Sequence, residues 1–244
     1  MYEKNITNYL SATGFTKVDL RAALFDMDGV LYNSMPNHAI SWHRAMDKFG
    51  IKMAPEEAYL YEGMRGVETI QLLSRQQWGR EITEEEAQKM YDEKARIFST
   101  CPHALVMEGV KELMGKMKAD GLTICIVTGS GQHQLLERVA HDFADFVEPG
   151  HIVSAFDVKH GKPAPDPYLK GLGKAGCEPW QAIVVENAPM GVHAGAAARI
   201  FTVGVNTGPL PNETLIKEGA NIVFDNMPAF RDAWNTLYND LQNI

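Results

Sequence analysis

Three short apolar runs, each stopping abruptly at polar residues, constrain this chain more than any other feature. Arg21-Ala22-Ala23-Leu24-Phe25 climbs into Asp26-Met27-Asp28-Gly29, Leu122-Thr123-Ile124-Cys125-Ile126-Val127 ends at Thr128-Gly129-Ser130, and Gln181-Ala182-Ile183-Val184-Val185 ends at Glu186-Asn187. Short runs that are apolar at successive positions read as strands buried on both faces, the mark of a parallel sheet. Helical spacing separates them over 108–119, 131–141, 166–176 and 189–198, with a short strand near 151–154. Strands over 200–205 and 221–224 and a helix over 227–242 follow. Strand–helix alternation predicts an α/β fold, a doubly wound parallel sheet with a Rossmann-like core. Such sheets bind ligands beyond the carboxyl ends of their strands. Asp26, Asp28, Thr128, Glu186 and Asn187 all fall at those ends.

The rhythm breaks once, between the first two runs. Residues 36–49, 54–62, 67–78 and 83–100 have helical spacing with no strand between them, and Thr83 ahead of Glu84, Glu85 and Glu86 reads as a helix cap. This predicts a helical-bundle cap domain over 34–104, inserted into a core domain formed by 1–33 and 105–244. Residues 1–19 are polar and without pattern, and are expected to form a short arm.

With 244 residues the chain can bury a full α/β core and still carry such an insert. No apolar run reaches the roughly 18 residues of a membrane span. The first residues lack a basic, then apolar, leader, so a cytoplasmic location is expected. Cys101, Cys125 and Cys177 are odd in number and unpaired in spacing, and read as reduced thiols. A net charge of −8 without a basic block argues against a nucleic-acid partner, and no protein partner is evident. An acidic protein that handles an anionic substrate needs positive charge from elsewhere, and a divalent cation is the obvious source.

Four strand-end clusters carry the candidate chemistry. Asp26 and Asp28 stand two positions apart, and Gly29 permits a turn that brings both carboxylates to one site, although D-x-D-G is also a common turn. Thr128-Gly129-Ser130 offers hydroxyls and backbone N–H groups suited to an anion, or simply an N-cap. Lys162 stands on a loop stiffened by Pro163 and Pro165, with Asp166 placed to cap the next helix; it is a positioned charge or solvated surface. Glu186-Asn187 presents oxygens that suit a hard cation such as Mg²⁺, or a plain polar strand end.

In this order the four clusters resemble the haloacid dehalogenase superfamily, over residues 20–205. Within it the chain is similar to the β-phosphoglucomutase-like branch. Asn33-Ser34 occupies the place of that branch's hinge, and His38 and Trp42 match its first cap helix. The resemblance implies a Mg²⁺-dependent phosphotransferase in which Asp26 is the nucleophile and Asp28 the general acid–base. Mg²⁺ would be held by Asp26, the Asp28 carbonyl and Asn187. Thr128, Gly129, Ser130 and Lys162 would hold the phosphoryl group, with Glu186 orienting metal-bound water.

The chain departs from that branch's mutases at two places. In Tyr61-Glu62-Gly63-Met64-Arg65-Gly66, Glu62 stands where the mutases have a lysine and Gly66 where they have an arginine that grips a second phosphate. Asn187 replaces an aspartate. If the cap closes, Glu62 can restore the missing negative charge as a metal ligand, leaving space for only a compact substrate. The pairing of Glu62 with Asn187 resembles an inorganic pyrophosphatase of the branch, and pyrophosphate is the expected substrate. Sugar or polyol phosphates are the alternative, β-phosphoglucomutase activity a second, and a non-catalytic phosphate or magnesium sensor a third. Glu62, Arg65 and His38 are expected to set substrate range from the cap.

Overall fold

The computed structural model describes all 244 residues. Helix α1 (Glu3–Thr13) precedes strand β1 (Ala22–Phe25), and three helices follow: α2 (Met35–Lys48), α3 (Gly66–Trp78) and α4 (Glu84–Ser99). The alternating half then runs α5 (Val110–Ala119), β2 (Thr123–Val127), α6 (His133–Asp142), β3 (Ile152–Val153), α7 (Asp166–Ala175), β4 (Ala182–Glu186), α8 (Pro189–Ala197) and β5 (Phe201–Val205). Helix α9 (Asn212–Lys217), strand β6 (Ile222–Phe224) and helix α10 (Met227–Asn243) complete it.

All six strands are parallel, in the order β3-β2-β1-β4-β5-β6. The strand order reverses around β1, whose Phe25 is in register with Ile126 on one side and Val185 on the other. The three apolar runs therefore end at one level, and their polar residues share the crevice at the switch point. Side chains along β1 alternate between the sheet faces: Ala23 and Phe25 join a 31-residue core with Met114, Phe143 and Trp234, while Ala22 and Leu24 join a 12-residue core with Tyr168 and Leu172. Helices α2, α3 and α4 keep a separate core, with Trp42, Met46, Ile70 and Ile97 at its centre. Thr83 caps α4 by accepting from Glu86 N at 3.1 Å, as its sequence predicts.

The structure departs from the sequence reading in four places. Residues 3–13 are not an arm: α1 buries Ile6 and Tyr9 against the sheet, with the Tyr9 ring edge-on to Phe201 at 5.3 Å and its hydroxyl donating to the Arg199 carbonyl at 2.9 Å. Helix 54–62 shrinks to a 3₁₀ turn over Pro55–Tyr59, because Gly63 takes a φ of +85° and turns the chain down onto the sheet. Asp166 does not cap α7 but opens it, and its carboxylate pairs with His160 at 3.1 Å. Helix α9 has no counterpart in the sequence reading. All three cysteines are free thiols, and burial pushes Cys125 up to about 12. No helix is long and apolar enough to cross a membrane.

Candidate active site

The loop after β1 is tied by its own backbone. Asp26 N–H donates to the Val185 carbonyl at 3.0 Å, continuing the sheet by one rung, and the Met27 carbonyl accepts from Leu31 at 2.8 Å. Gly29 has a φ of +83°, and a Cβ there would lie 2.0 Å from Asn187 Nδ2. Glycine is thus required twice, for the turn and for the amide seated against it. Asp26 and Asp28 emerge side by side and both are buried.

Lys162 is the hub of the site and is fully buried, not solvated. Its ammonium donates to Asp26 Oδ1 at 2.5 Å, Glu186 Oε1 at 2.6 Å and the Val127 carbonyl at 3.0 Å. Three acceptors match the three donors of an ammonium, so its burial leaves no proton unpaired. Glu186 also accepts from the Tyr168 hydroxyl at 2.7 Å and from the backbone N–H groups of Asn187 and Ala188 at 3.0 and 3.3 Å. Burial, then the Glu186 charge, pushes the Asp26 carboxyl up to about 7 against the opposing pull of Lys162. Burial works against the Lys162 charge, but Asp26 and Glu186 outweigh it and raise its pKa.

Two buried oxygens here have no hydrogen-bond partner, Asp26 Oδ2 and Asn187 Oδ1. Orphaned buried acceptors are rare and cost roughly 1–3 kcal/mol each unless a group from outside the protein satisfies them. Both are hard oxygen donors on adjacent strand ends, which fits Mg²⁺. No three His, Cys, Asp or Glu side chains converge at metal-ligand spacing. The donor set is instead mixed, one carboxylate and one amide, with the rest left to backbone and water, as suits an ion that keeps much of its hydration.

Asp28 faces the helical unit. Its Oδ1 accepts from Ser34 Oγ at 2.6 Å and lies 3.2 Å from His38 Nε2. Lys94 Nζ lies 2.9 Å from His38 Nδ1, inside a box made by the rings of Trp42, Tyr91 and Phe98. Burial opposes the Asp28 charge, but His38, Ser34 and Lys94 together hold its pKa below the ordinary carboxylate value. Burial lowers Lys94 to about 8 even though Glu62 and Asp28 favour its charge. Glu62 is part-exposed as a residue but turns its carboxyl inward, where burial and then Asp28 and Asp26 push its pKa well up. Asp28, His38, Glu62, Lys94, Gly129 and Ser130 line a cavity of about 30 Å³, room for about two water molecules.

The helical unit meets the sheet through glycines. A Cβ on Gly129 would lie 2.8 Å from the Gly63 carbonyl oxygen, one on Gly63 would lie 2.9 Å from Lys162 Cδ, and one on Gly161 would lie 2.6 Å from Arg65 Cγ. Thr128 is buried, and its hydroxyl accepts from Ser130 N–H at 3.0 Å, so the loop is held by itself; α6 starts only at His133. Glu62 and His38 thus reach the cavity beside Asp28, whereas Arg65 does not: it turns outward, donating to the Lys159 carbonyl at 3.2 Å. Sequence reasoning passed over Lys94 and Tyr168. Lys94 carried a signal, being a charge on the otherwise apolar α4 stripe of Ala87, Tyr91, Ile97 and Phe98.

Residues 23–205 match the family model described as haloacid dehalogenase-like hydrolase. Hexitol phosphatase A of Escherichia coli is 31% identical over 184 residues, covering 75% of this chain and 82% of that protein. A phosphorylated carbohydrates phosphatase of Thermotoga maritima is 28% identical, covering 82% of this chain and 92% of that protein. Among solved structures, a Bacteroides vulgatus protein whose name carries a provisional beta-phosphoglucomutase assignment superposes with a TM-score of 0.95 at 49% identity, covering 100% of this chain and 99% of that one. The family match spans the loops and strand ends that hold Asp26, Thr128, Lys162 and Glu186, and on that ground the chain belongs to the haloacid dehalogenase-like hydrolases.

Proposed function

We propose that this enzyme hydrolyses small sugar or polyol monophosphates through a phosphoryl group carried on Asp26, with Asp28 moving the protons. The observation that carries the reading is the asymmetry of the pair: Asp26 is held by Lys162 with its other oxygen unpartnered, while Asp28 faces the cavity from the Ser34 and His38 side.

In the first half-reaction an Asp26 oxygen attacks phosphorus, and the bond to the substrate's bridging oxygen breaks as that oxygen takes the Asp28 proton. The phosphate's negative charge raises Asp28 from its low resting pKa, so it enters the complex as the acid. In the second half Asp28 takes a proton from water, which attacks phosphorus and returns Asp26 as a carboxylate. Lys162 stays charged throughout, and the Gly129–Ser130 loop cradles the equatorial oxygens. Asp26 Oδ2, Asn187 Oδ1 and the Asp28 carbonyl would hold Mg²⁺, which supplies charge neutralisation at the phosphoryl oxygens. Glu186, through Lys162 and the backbone, is a positioning residue.

The substrate class is carried over from the relatives, a hexitol phosphatase and a phosphorylated carbohydrates phosphatase. A second reading, inorganic pyrophosphate, is favoured by the inward Glu62 carboxyl and the small cavity beside it. Phosphate release with Mg²⁺ from hexitol phosphates, hexose phosphates, phosphoglycolate and pyrophosphate separates the two. Sugar or polyol esters turn over with the highest kcat/KM under the first reading, pyrophosphate under the second. Turnover that survives Asp26→Asn would sink both.

A further inference from the structure

A second cleft of about 180 Å³ opens from the catalytic cavity, sharing Gly66, Tyr91 and Gly129 with it, and runs outward between the helical unit and the sheet. It is about six times larger, and the phosphorylated end of an ester cannot sit at Asp26 with its alcohol portion inside 30 Å³. The outer wall carries Phe156, a residue 62% exposed, its ring stacked on His133 at 4.8 Å with 13° between planes. Gly131 lies under the edge of that ring, 3.5 Å from where its Cβ would be to Phe156 Cζ, so no side chain crowds it. A large aromatic held flat at the mouth of a cleft gains nothing for the fold by its exposure.

The cleft's charge narrows the occupant. Its cation is Arg65, already engaged by the Lys159 carbonyl at 3.2 Å and by Glu68 Oε1 at 3.5 Å. A second phosphate here would have to take Arg65 from both partners and would meet the Glu68 carboxylate. A neutral group with an apolar C–H face would meet the Phe156 ring and the Tyr91 edge instead.

Resting on the sugar-phosphate reading above, we propose that the outer cleft receives the uncharged alcohol portion of a monophosphate and that Phe156 is a specificity-determining residue, stacking on the C–H face of a sugar ring. The test compares kcat/KM of a hexopyranose phosphate with that of acetyl phosphate, which has no ring to stack. Phe156→Ala lowers the hexose phosphate to acetyl phosphate ratio about 2- to 10-fold, the loss appearing in KM, and Phe156→Tyr restores it. In competition assays a hexose bisphosphate binds no more tightly than the monophosphate. An unchanged ratio, or tighter binding of the bisphosphate, overturns the cleft assignment while leaving the phosphatase reading intact. Wild-type enzyme that cleaves acetyl phosphate but no sugar phosphate overturns both.

Discussion

Lys94 and His38 stand 56 residues apart in the chain, yet Lys94 Nζ lies 2.9 Å from His38 Nδ1, and the far side of the same imidazole faces Asp28. The contact joins α4 to α2 and aims both at Asp28, the proposed general acid–base. It puts a buried ammonium within reach of Asp28 without giving it a carboxylate of its own to pair with.

That arrangement has a signature in stability. Lys94 titrates near 8 in the folded protein against 10.5 in the open chain. Between those values the unfolded chain binds more protons, so folding stability rises with pH across the window. Urea unfolding of wild type and Lys94→Met at pH 7.5 and 10 isolates the effect: the wild type gains relative to the variant as pH rises. A constant difference would show that Lys94 stays charged in the fold.

Lys162 separates two buried carboxylates, and its removal leaves Asp26 and Glu186 facing each other. Breaking a buried ion pair from one side costs about 3–5 kcal/mol. Lys162→Met is therefore expected to lose most of its activity and several kcal/mol of unfolding free energy in urea. A loss below about 0.5 kcal/mol, the size of an ordinary surface change, would contradict the hub assignment.

Gly191 tests positioning at a distance from the chemistry. A Cβ there would lie 1.8 Å from Glu186 Oε1, the atom that accepts from Lys162. Gly191→Ala must push Glu186 aside, and a displacement near 1 Å in such a chain costs roughly 10²-fold in rate. Circular dichroism should stay that of the wild type while kcat falls. Wild-type kcat would mean that Glu186 has no part in holding Lys162.

Glu62 pays a penalty in the metal-free closed protein, since burial and the Asp28 and Asp26 charges raise its pKa well above 4.5. The penalty is absent below the unfolded value and complete above the folded one. Glu62→Gln should thus raise the metal-free melting temperature at neutral pH, and the gain should vanish near pH 4. Kinetics then separate the substrate readings. If Glu62 serves a metal with Asn187, Glu62→Ala cuts pyrophosphate turnover more than ester turnover, and adding Asn187→Asp recovers magnesium affinity non-additively. Additive losses leave pyrophosphate without its structural motive.

The sheet was legible because parallel strands are buried on both faces and write themselves as unbroken apolar runs. Their register was legible too, in that three runs end in polar residues that come to one level around Phe25. What escaped depends on partners far along the chain. Helix α1 has large apolar residues only at Ile6, Tyr9 and Leu10, a stripe too thin to announce a core helix, although Gly14 marks its end with a φ of +74°. The 54–62 helix was over-extended because propensity cannot register that Gly63 must touch Gly129. Lys162 gave no sign of full burial, since its acceptors come from β1, β2 and β4.

Where the Gly63 carbonyl lies over Gly129, backbone faces backbone, and a methyl group on Gly129 would fill the gap. Such a seam acts as a caliper. It admits the helical unit only to its final depth, and at that depth His38 reaches Asp28 and Glu62 enters beside it. A unit held ajar would leave both groups short of Asp28, with the carboxylate pair in place but without its contacts from the helical unit. On the mechanism proposed above, reactivity is thereby tied to completeness of closure, so a half-closed complex, open to water, has little means of turning over its substrate.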